Sequence, residues 1–478
     1  MIEKAVPAFA TASTAVIAVV CLNWWASRDP TALFSTSVPG MDDPYGIKAE
    51  AAKAPAVKIG EFFQQFDGEP GNEGSAWPCF RGADYRNISE DSVQLSTAWN
   101  DVGPPVLWSI ELGEGYAAAA VNKGRVYLLD YIEEEKVDAL RCFSLDDGRE
   151  IWRRWYNVDL KRNHGFSRTV PAVTDRHVVT IGPKCHVMCV DAVNGDLRWT
   201  LDMVRDYGST VPGWYAGQCP VIDDGLAILA PSGSNVLVMA VDCDSGETVW
   251  STPNPGSWIL SHASITPMTL GGRKMYVYAA VGGVAGIAAE GPDRGTILWQ
   301  TTEWEPSVIA PSPVVMDDGR IFLTAGYGAG SMMIQVSEDG GKFAVKKLFR
   351  KKPKETIACD QQTPLYYEGH LFSVQPNGAG SQRQQLVCYS PDNELVWASG
   401  KENRFGLGPF MIADGKLLVL DDEGVLTMAS ASTRGYVQLA QAKVLDGHDS
   451  WGPFALVDGL LLLRDTEGMI CLDMREAR

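Results

Sequence analysis

Cys189-Val190-Asp191-Ala192-Val193-Asn194-Gly195-Asp196-Leu197-Arg198-Trp199 decides the fold. A short apolar strand ends on Asp191, an Asn-Gly turn follows, and a second strand carries a Trp four residues past the Gly. Asn-Gly supplies the positive φ angles that a tight hairpin turn needs. The spacing recurs as Cys142…Gly148…Trp152, Ala240…Gly246…Trp250 and Ala289…Gly295…Trp299. It returns one residue short as Cys388…Trp397 and degenerate as Ala429…Gly435…Leu439. A unit repeating at roughly 45 residues predicts a propeller with four short strands per blade.

A second column fixes the number of blades. A Pro with an apolar residue just after it recurs at Pro171, Pro220, Pro267, Pro313, Pro364, Pro409 and Pro453. Pro is tolerated at the start of a strand or on an edge, so each marks the beginning of an inner strand. The stretch up to Val121, followed by Asn122-Lys123-Gly124, fits the same frame without its Pro. Eight inner hairpins result. The eighth unit stops at Cys471-Leu472-Asp473, where its last strand is due. Val106-Leu107-Trp108-Ser109-Ile110 is available to supply that strand, closing the ring and removing two aggregation-prone edges.

The repeated frame resembles the tryptophan-docking motif of the PQQ-like, quinoprotein-type β-propellers. Trp77-Pro78-Cys79-Phe80-Arg81-Gly82, Leu107-Trp108, Gly115-Tyr116 and Gly124-Arg125-Val126-Tyr127 resemble the opening blade of a bacterial, membrane-anchored branch of that family. The resemblance runs from Trp77 to the C-terminus and implies an all-β, eight-bladed ring. Its docking tryptophans are Trp108, Trp152, Trp199, Trp250, Trp299 and Trp397. Blade five lacks the Trp, with Val345 or Leu348 in its place, and blade seven has Leu439. The family holds quinone-dependent dehydrogenases and scaffolds without cofactor, so the fold leaves the activity open.

The formal net charge of -18 argues against nucleic-acid binding, which needs a basic face. Residues 5–25 carry no charge and are long enough to span a bilayer. They read as a retained signal anchor over residues 1–26, a cleaved signal peptide, or a lipoprotein leader ending at Cys21. Each reading places the body across the membrane, on the periplasmic or extracytoplasmic side. Residues 27–76 form a tether, in which Val57 to Phe66 is apolar enough for a short docking helix or a packed turn. Residues 77–478 form the propeller.

The ten cysteines invite a disulfide reading. However, Cys142, Cys189, Cys388 and Cys471 share a column with Ala240, Ala289 and Ala429, as befits a tight interior site. No cysteine spacing matches a metal site. The adjacent Cys-Cys pair of many quinoprotein alcohol dehydrogenases is absent, and the acids near strand starts, Glu305, Asp360 and Asp449, are sparse. The motifs therefore support neither PQQ nor calcium, and no cofactor is expected. His164, Arg168, His262, His448, Trp214, Tyr215, Trp258, Trp304 and Trp451 fall in loops that cluster at one mouth of the ring. They serve there as binding anchors or as plugs between blades. Residues 342–354 hold seven cations in thirteen positions, against an acidic background. Among them Lys346, Lys347, Arg350, Lys351 and Lys352 form a candidate docking surface for an acidic partner.

The leading expectation is a membrane-tethered, non-catalytic scaffold that works in a complex with other membrane or periplasmic proteins. Its layout is similar to that of the propeller lipoprotein of the outer-membrane β-barrel assembly machinery. The alternatives are a quinone- or metal-dependent dehydrogenase at the channel mouth and a small-molecule or glycan sensor.

Overall fold

The computed structural model describes residues 18–20, 22–23, 56–72, 74–100 and 102–476. The chain divides into units 1–44 and 45–478. Most of the expected anchor and residues 27–55 of the expected tether lie outside the described residues. The described part of the first unit is helical and exposed at 18–20 and 22–23. No helix among the described residues is long and apolar enough to cross a membrane.

Eight sheets account for the described residues of the second unit, six of four strands and two of five, all antiparallel apart from one short parallel edge pair in blade seven. Seven inner strands begin at or beside the expected prolines, for example Val221–Asp223 after Pro220 and Leu365–Tyr367 after Pro364. The last sheet is closed as the sequence predicts: Val106–Glu111 pairs with Gly468–Asp473, and Trp108 lies opposite Cys471. In the Cys189 hairpin only Gly195 adopts positive φ (70°); Asn194 does not. The Asp191 carboxylate holds this turn instead, accepting from the backbone N–H of Val193 (2.9 Å) and Asn194 (3.2 Å).

Register explains why the motif needs a small residue. In each blade the third and fourth strands carry a β-bulge beside the residue that faces the docking position, and blade three has a second one between Val236 and Val238. Trp152, Trp199, Trp250, Trp299, Trp397 and Trp108 face Cys142, Cys189, Ala240, Gly286, Cys388 and Cys471. All six indoles are buried. Where Trp is missing, a larger partner fills the space: Met333 faces Phe349, and Met428 faces Ala440.

Three expectations are thereby corrected. The small residue of blade four is Gly286 rather than Ala289. Phe349, not Val345 or Leu348, stands at the docking position of blade five, and Ala440, not Leu439, at that of blade seven. Variable hairpin length shifts the sequence spacing, whereas the bulge keeps the pairing.

Every docking Trp but Trp299 reaches the turn of the next blade. A Cβ on Gly195, Gly246 or Gly295 would come within 2.7–2.9 Å of the preceding blade's indole, at Trp152, Trp199 and Trp250 respectively. The indole nitrogens of Trp152 and Trp199 donate to the carbonyls of Val193 and Cys243 in that same turn. Blade five breaks the series, because its turn sits at the end of a long hairpin where Gly340 and Gly341 meet nothing. Trp299 instead donates to Met275 Sδ in its own blade (3.2 Å). The two blades without the Trp also precede atypical turns. The turn of blade six carries no Gly to receive one from blade five. Blade eight has no such turn at all, since its fourth strand comes from the other end of the domain.

Two segments before the ring differ from expectation. The packed turn expected between Val57 and Phe66 is present at the buried Ile59-Gly60, but Phe62–Gln65 then pairs with Glu150–Asn157 as a fifth, outermost strand of blade one. Residues 77–89, expected as part of the opening blade, run up into the channel and back down. Trp77 pairs with Val121 in blade one, and the Pro78 carbonyl accepts from the Val173 N–H in blade two. Arg81 donates to the carbonyls of Thr363 and Pro364 in blade six. Ile88–Ser89 then pairs in parallel with the inner strand of blade seven. Contact with so many inner strands means that this loop fills the channel.

Candidate functional site

Above the plug lies a cavity of about 590 Å³, to which every blade contributes. Of the residues singled out in the sequence, His164, Arg168, Trp214, His262, Asp360 and Trp451 line it together. Their common origin is topological: each stands in the loop leading into an inner strand, and these loops share one end of the ring. Tyr215, Trp258 and Trp304 are buried away from this lining, as packing residues. Glu305, His448 and Asp449 lie outside it, and His448 pairs locally with Asp449.

Two aromatic stacks frame the mouth. Tyr116 stacks on Trp451 at 5.3 Å and 23°, joining blades one and eight. Trp214 stacks on Tyr327 at 5.7 Å and 12°, bridging blades three and five, with His262 of blade four 6.3 Å from Trp214. Arg168 lies over the Tyr116 ring, 5.0 Å from its centroid. It donates through Nε to the Trp214 carbonyl, and through Nη2 to the carbonyls of Asn163 (3.0 Å) and His164. Burial and the nearby Arg168 charge push His262 down to about 4, so its ring is neutral at pH 7. Burial also pushes Arg168 down to about 10 and raises the Asp360 carboxyl.

Sequence reasoning missed Phe80, Tyr116, Tyr327, Gln361 and Gln362 as lining residues. Tyr327 carried a readable signal, a bulky residue between Gly326 and Gly328. It adopts φ 54°, and His164 (50°) and Trp214 (63°) also sit in the left-handed region. Such backbone is costly for bulky side chains and concentrates at ligand sites. Phe80 had no local signal, because it arrives on the plug.

The resemblance to quinone-dependent dehydrogenases makes the donor set of this wall worth testing. Asp360 is the one acid in the lining, and no cluster of His, Cys, Asp and Glu among the described residues could hold a metal. Calcium asks for six to eight convergent oxygens, and this wall does not fit it. All nine cysteines of the described residues are buried and free.

On the outer rim, the cations of blade five separate into two groups. Lys347 pairs with Glu303 of blade four, and Arg350 stacks on Trp304 with its guanidinium 4.2 Å from the ring centroid. Lys351 is half-buried, whereas Lys342, Lys346 and Lys352 are exposed, with no carboxylate paired to their ammonium groups among the described residues.

A family model described as outer membrane protein assembly factor BamB matches residues 136–341. Among solved structures, BamB from Moraxella catarrhalis is similar at 14% identity and a TM-score of 0.51, over 77% of this chain and 99% of that one. A europium-containing methanol dehydrogenase is similar at 11% identity and a TM-score of 0.59, over 84% of this chain and 89% of that one. No curated protein matches by sequence. Eight blades, a bulge-locked Trp and small-residue pair in six of them, and these likenesses lead to one conclusion: the chain has the eight-bladed fold of the PQQ-like β-propellers, and its residues 136–341 match the BamB family model.

Proposed function

We propose that this protein is a non-catalytic interaction scaffold, with blade five as the docking edge for an acidic partner. The observation that carries the reading is the hairpin of Gly330–Asp339 and Lys342–Lys351. Its strands have ten residues each, whereas every other strand among the described residues has at most eight. The hairpin projects past the docking frame and leaves a free backbone edge studded with cations. An edge of this kind takes an added strand from a partner, with charge setting specificity and encounter rate. The match to an assembly-factor family supports the same reading. The partners would be membrane or periplasmic proteins, with residues 1–26 as the membrane anchor and the ring on the extracytoplasmic side.

The test is co-purification from membranes at low and moderate salt. Replacing Lys342, Lys346 and Lys352 with Ser should leave folding intact, since exposed substitutions change stability little. Partner recovery should fall sharply, and the parent's recovery should fall with salt. A variant that retains every neighbour of the parent places the interface elsewhere. Deleting residues 1–26 should release the protein from alkaline-washed membranes.

A dehydrogenase at the channel mouth is the second reading, favoured by the fold shared with the methanol dehydrogenase and by the large cavity. It requires purified protein to carry quinone absorbance or stoichiometric metal.

A further inference from the structure

Two charged side chains face the cavity without a counter-ion. Arg168 is largely buried, and its Nε and Nη2 are committed to backbone carbonyls. Its Nη1 has no partner among the described residues, and no carboxylate pairs with the guanidinium. Asp360 likewise has no cationic partner there. Arg168 precedes the inner strand of blade two and Asp360 that of blade six, and both line the same cavity. Both charges act on the Tyr327 hydroxyl, which places them around the same space. An unpaired charge in a partly dry site is costly, and here burial disfavours the charged form of each group. One ligand carrying both opposite charges relieves both costs.

Size narrows the class. A sphere of 590 Å³ is about 10 Å across, and three extended residues also span about 10 Å. The Tyr116–Trp451 and Trp214–Tyr327 stacks give apolar cover to side chains between the two ends. The plug closes the far side, so the ligand must fit within the chamber rather than thread it. We propose that the cavity binds a short zwitterionic peptide, about two or three residues long, with its C-terminal carboxylate on Arg168 Nη1 and its N-terminal ammonium on Asp360.

The experiment is calorimetric titration of the full chain with the tripeptide Ala-Phe-Ala, its N-acetylated form and its C-terminal amide. The free peptide should bind, and each cap should weaken binding at least about tenfold, because a charge-assisted hydrogen bond is lost. Asp360→Asn should weaken the free peptide and leave the N-acetylated one unchanged. Gly378 lines the cavity with open space around its Cβ direction, so Gly378→Phe should keep the parent's melting temperature and abolish binding. Equal affinity for free and capped peptides overturns the proposal. So does the absence of heat with folded parent at millimolar peptide. If the N-acetylated form binds as well as the free one and the amide does not, the site takes protein C-termini and the zwitterion assignment falls.

Discussion

Trp108 lies flat against Gly148. A Cβ on that glycine would come within 2.8 Å of the indole, whose nitrogen donates to the Leu145 carbonyl at 2.8 Å. Trp108 belongs to the strand that completes blade eight, and Gly148 to the turn of blade one. The seam of the ring is thus fastened twice, by strand pairing and by this contact. Gly148 sits at φ 70°, so Gly148→Ala adds both a steric clash and left-handed strain. It should cost about 2–4 kcal/mol in urea denaturation. Trp108→Ala should cost about 3–5 kcal/mol. An unchanged midpoint for either variant would remove this contact from the account of closure.

Cys142 and Cys189 face Trp152 and Trp199 from fully buried positions. Ala240 does the same work opposite Trp250. Cys142→Ala and Cys189→Ala should therefore each cost less than about 1.5 kcal/mol. Non-reducing peptide mapping should find both thiols free.

Asp138 gives the fold a pH dependence. It is fully buried, accepts from the Tyr156 hydroxyl at 2.6 Å, and has no partner for its other oxygen among the described residues. Burial pushes its carboxyl up to about 7, helped by the nearby Asp130, while the Tyr156 hydrogen bond opposes the rise. His186, 3.2 Å from the same hydroxyl, is pushed down to about 4 and stays neutral at neutral pH. A raised carboxyl favours the folded state at low pH. Its contribution is full below the unfolded value near 4, falls as pH rises to about 7, and is flat above. Asp138→Asn should thus gain stability relative to the parent on going from pH 5 to pH 8, on the order of 3 kcal/mol. A parent-to-variant difference that does not change with pH would count against a buried, titrating carboxyl.

Arg81 anchors the plug. It is buried and donates to the carbonyls of Tyr85, Arg86, Thr363 and Pro364. Arg81→Met fills similar space but strips these carbonyls of their donor, and should cost about 3 kcal/mol or more. Limited proteolysis should then cut within residues 77–89 before it cuts the blades. If cleavage in the variant starts elsewhere, the plug is held by other contacts.

Most of the ring was legible because its determinants are local. A Pro before a short apolar strand and a Gly at a turn each act within a few residues, and Val106 to Ile110 was the one strand left to complete the last blade. Spacing failed where pairing, rather than position, is conserved around the ring, as with Gly286, Met333 and Met428. The channel residues were half legible. Trp214, His262 and Asp360 precede inner strands and so had to meet at one end. Tyr327 sits in a loop after an inner hairpin, and Phe80 reaches the same space from well over a hundred residues away. The plug has no periodicity, and its positive φ values at Arg81, Tyr85 and Asn87 fall on residues that do not announce a turn.

The plug also decides what kind of traffic the ring admits. With the far end stoppered by residues 77–89, whatever enters between Trp214 and Trp451 must leave by the same opening. Two molecules cannot pass through in sequence; the second waits until the first has gone. The propeller is therefore a receptacle rather than a conduit, and occupancy of the chamber and access to it compete for one doorway.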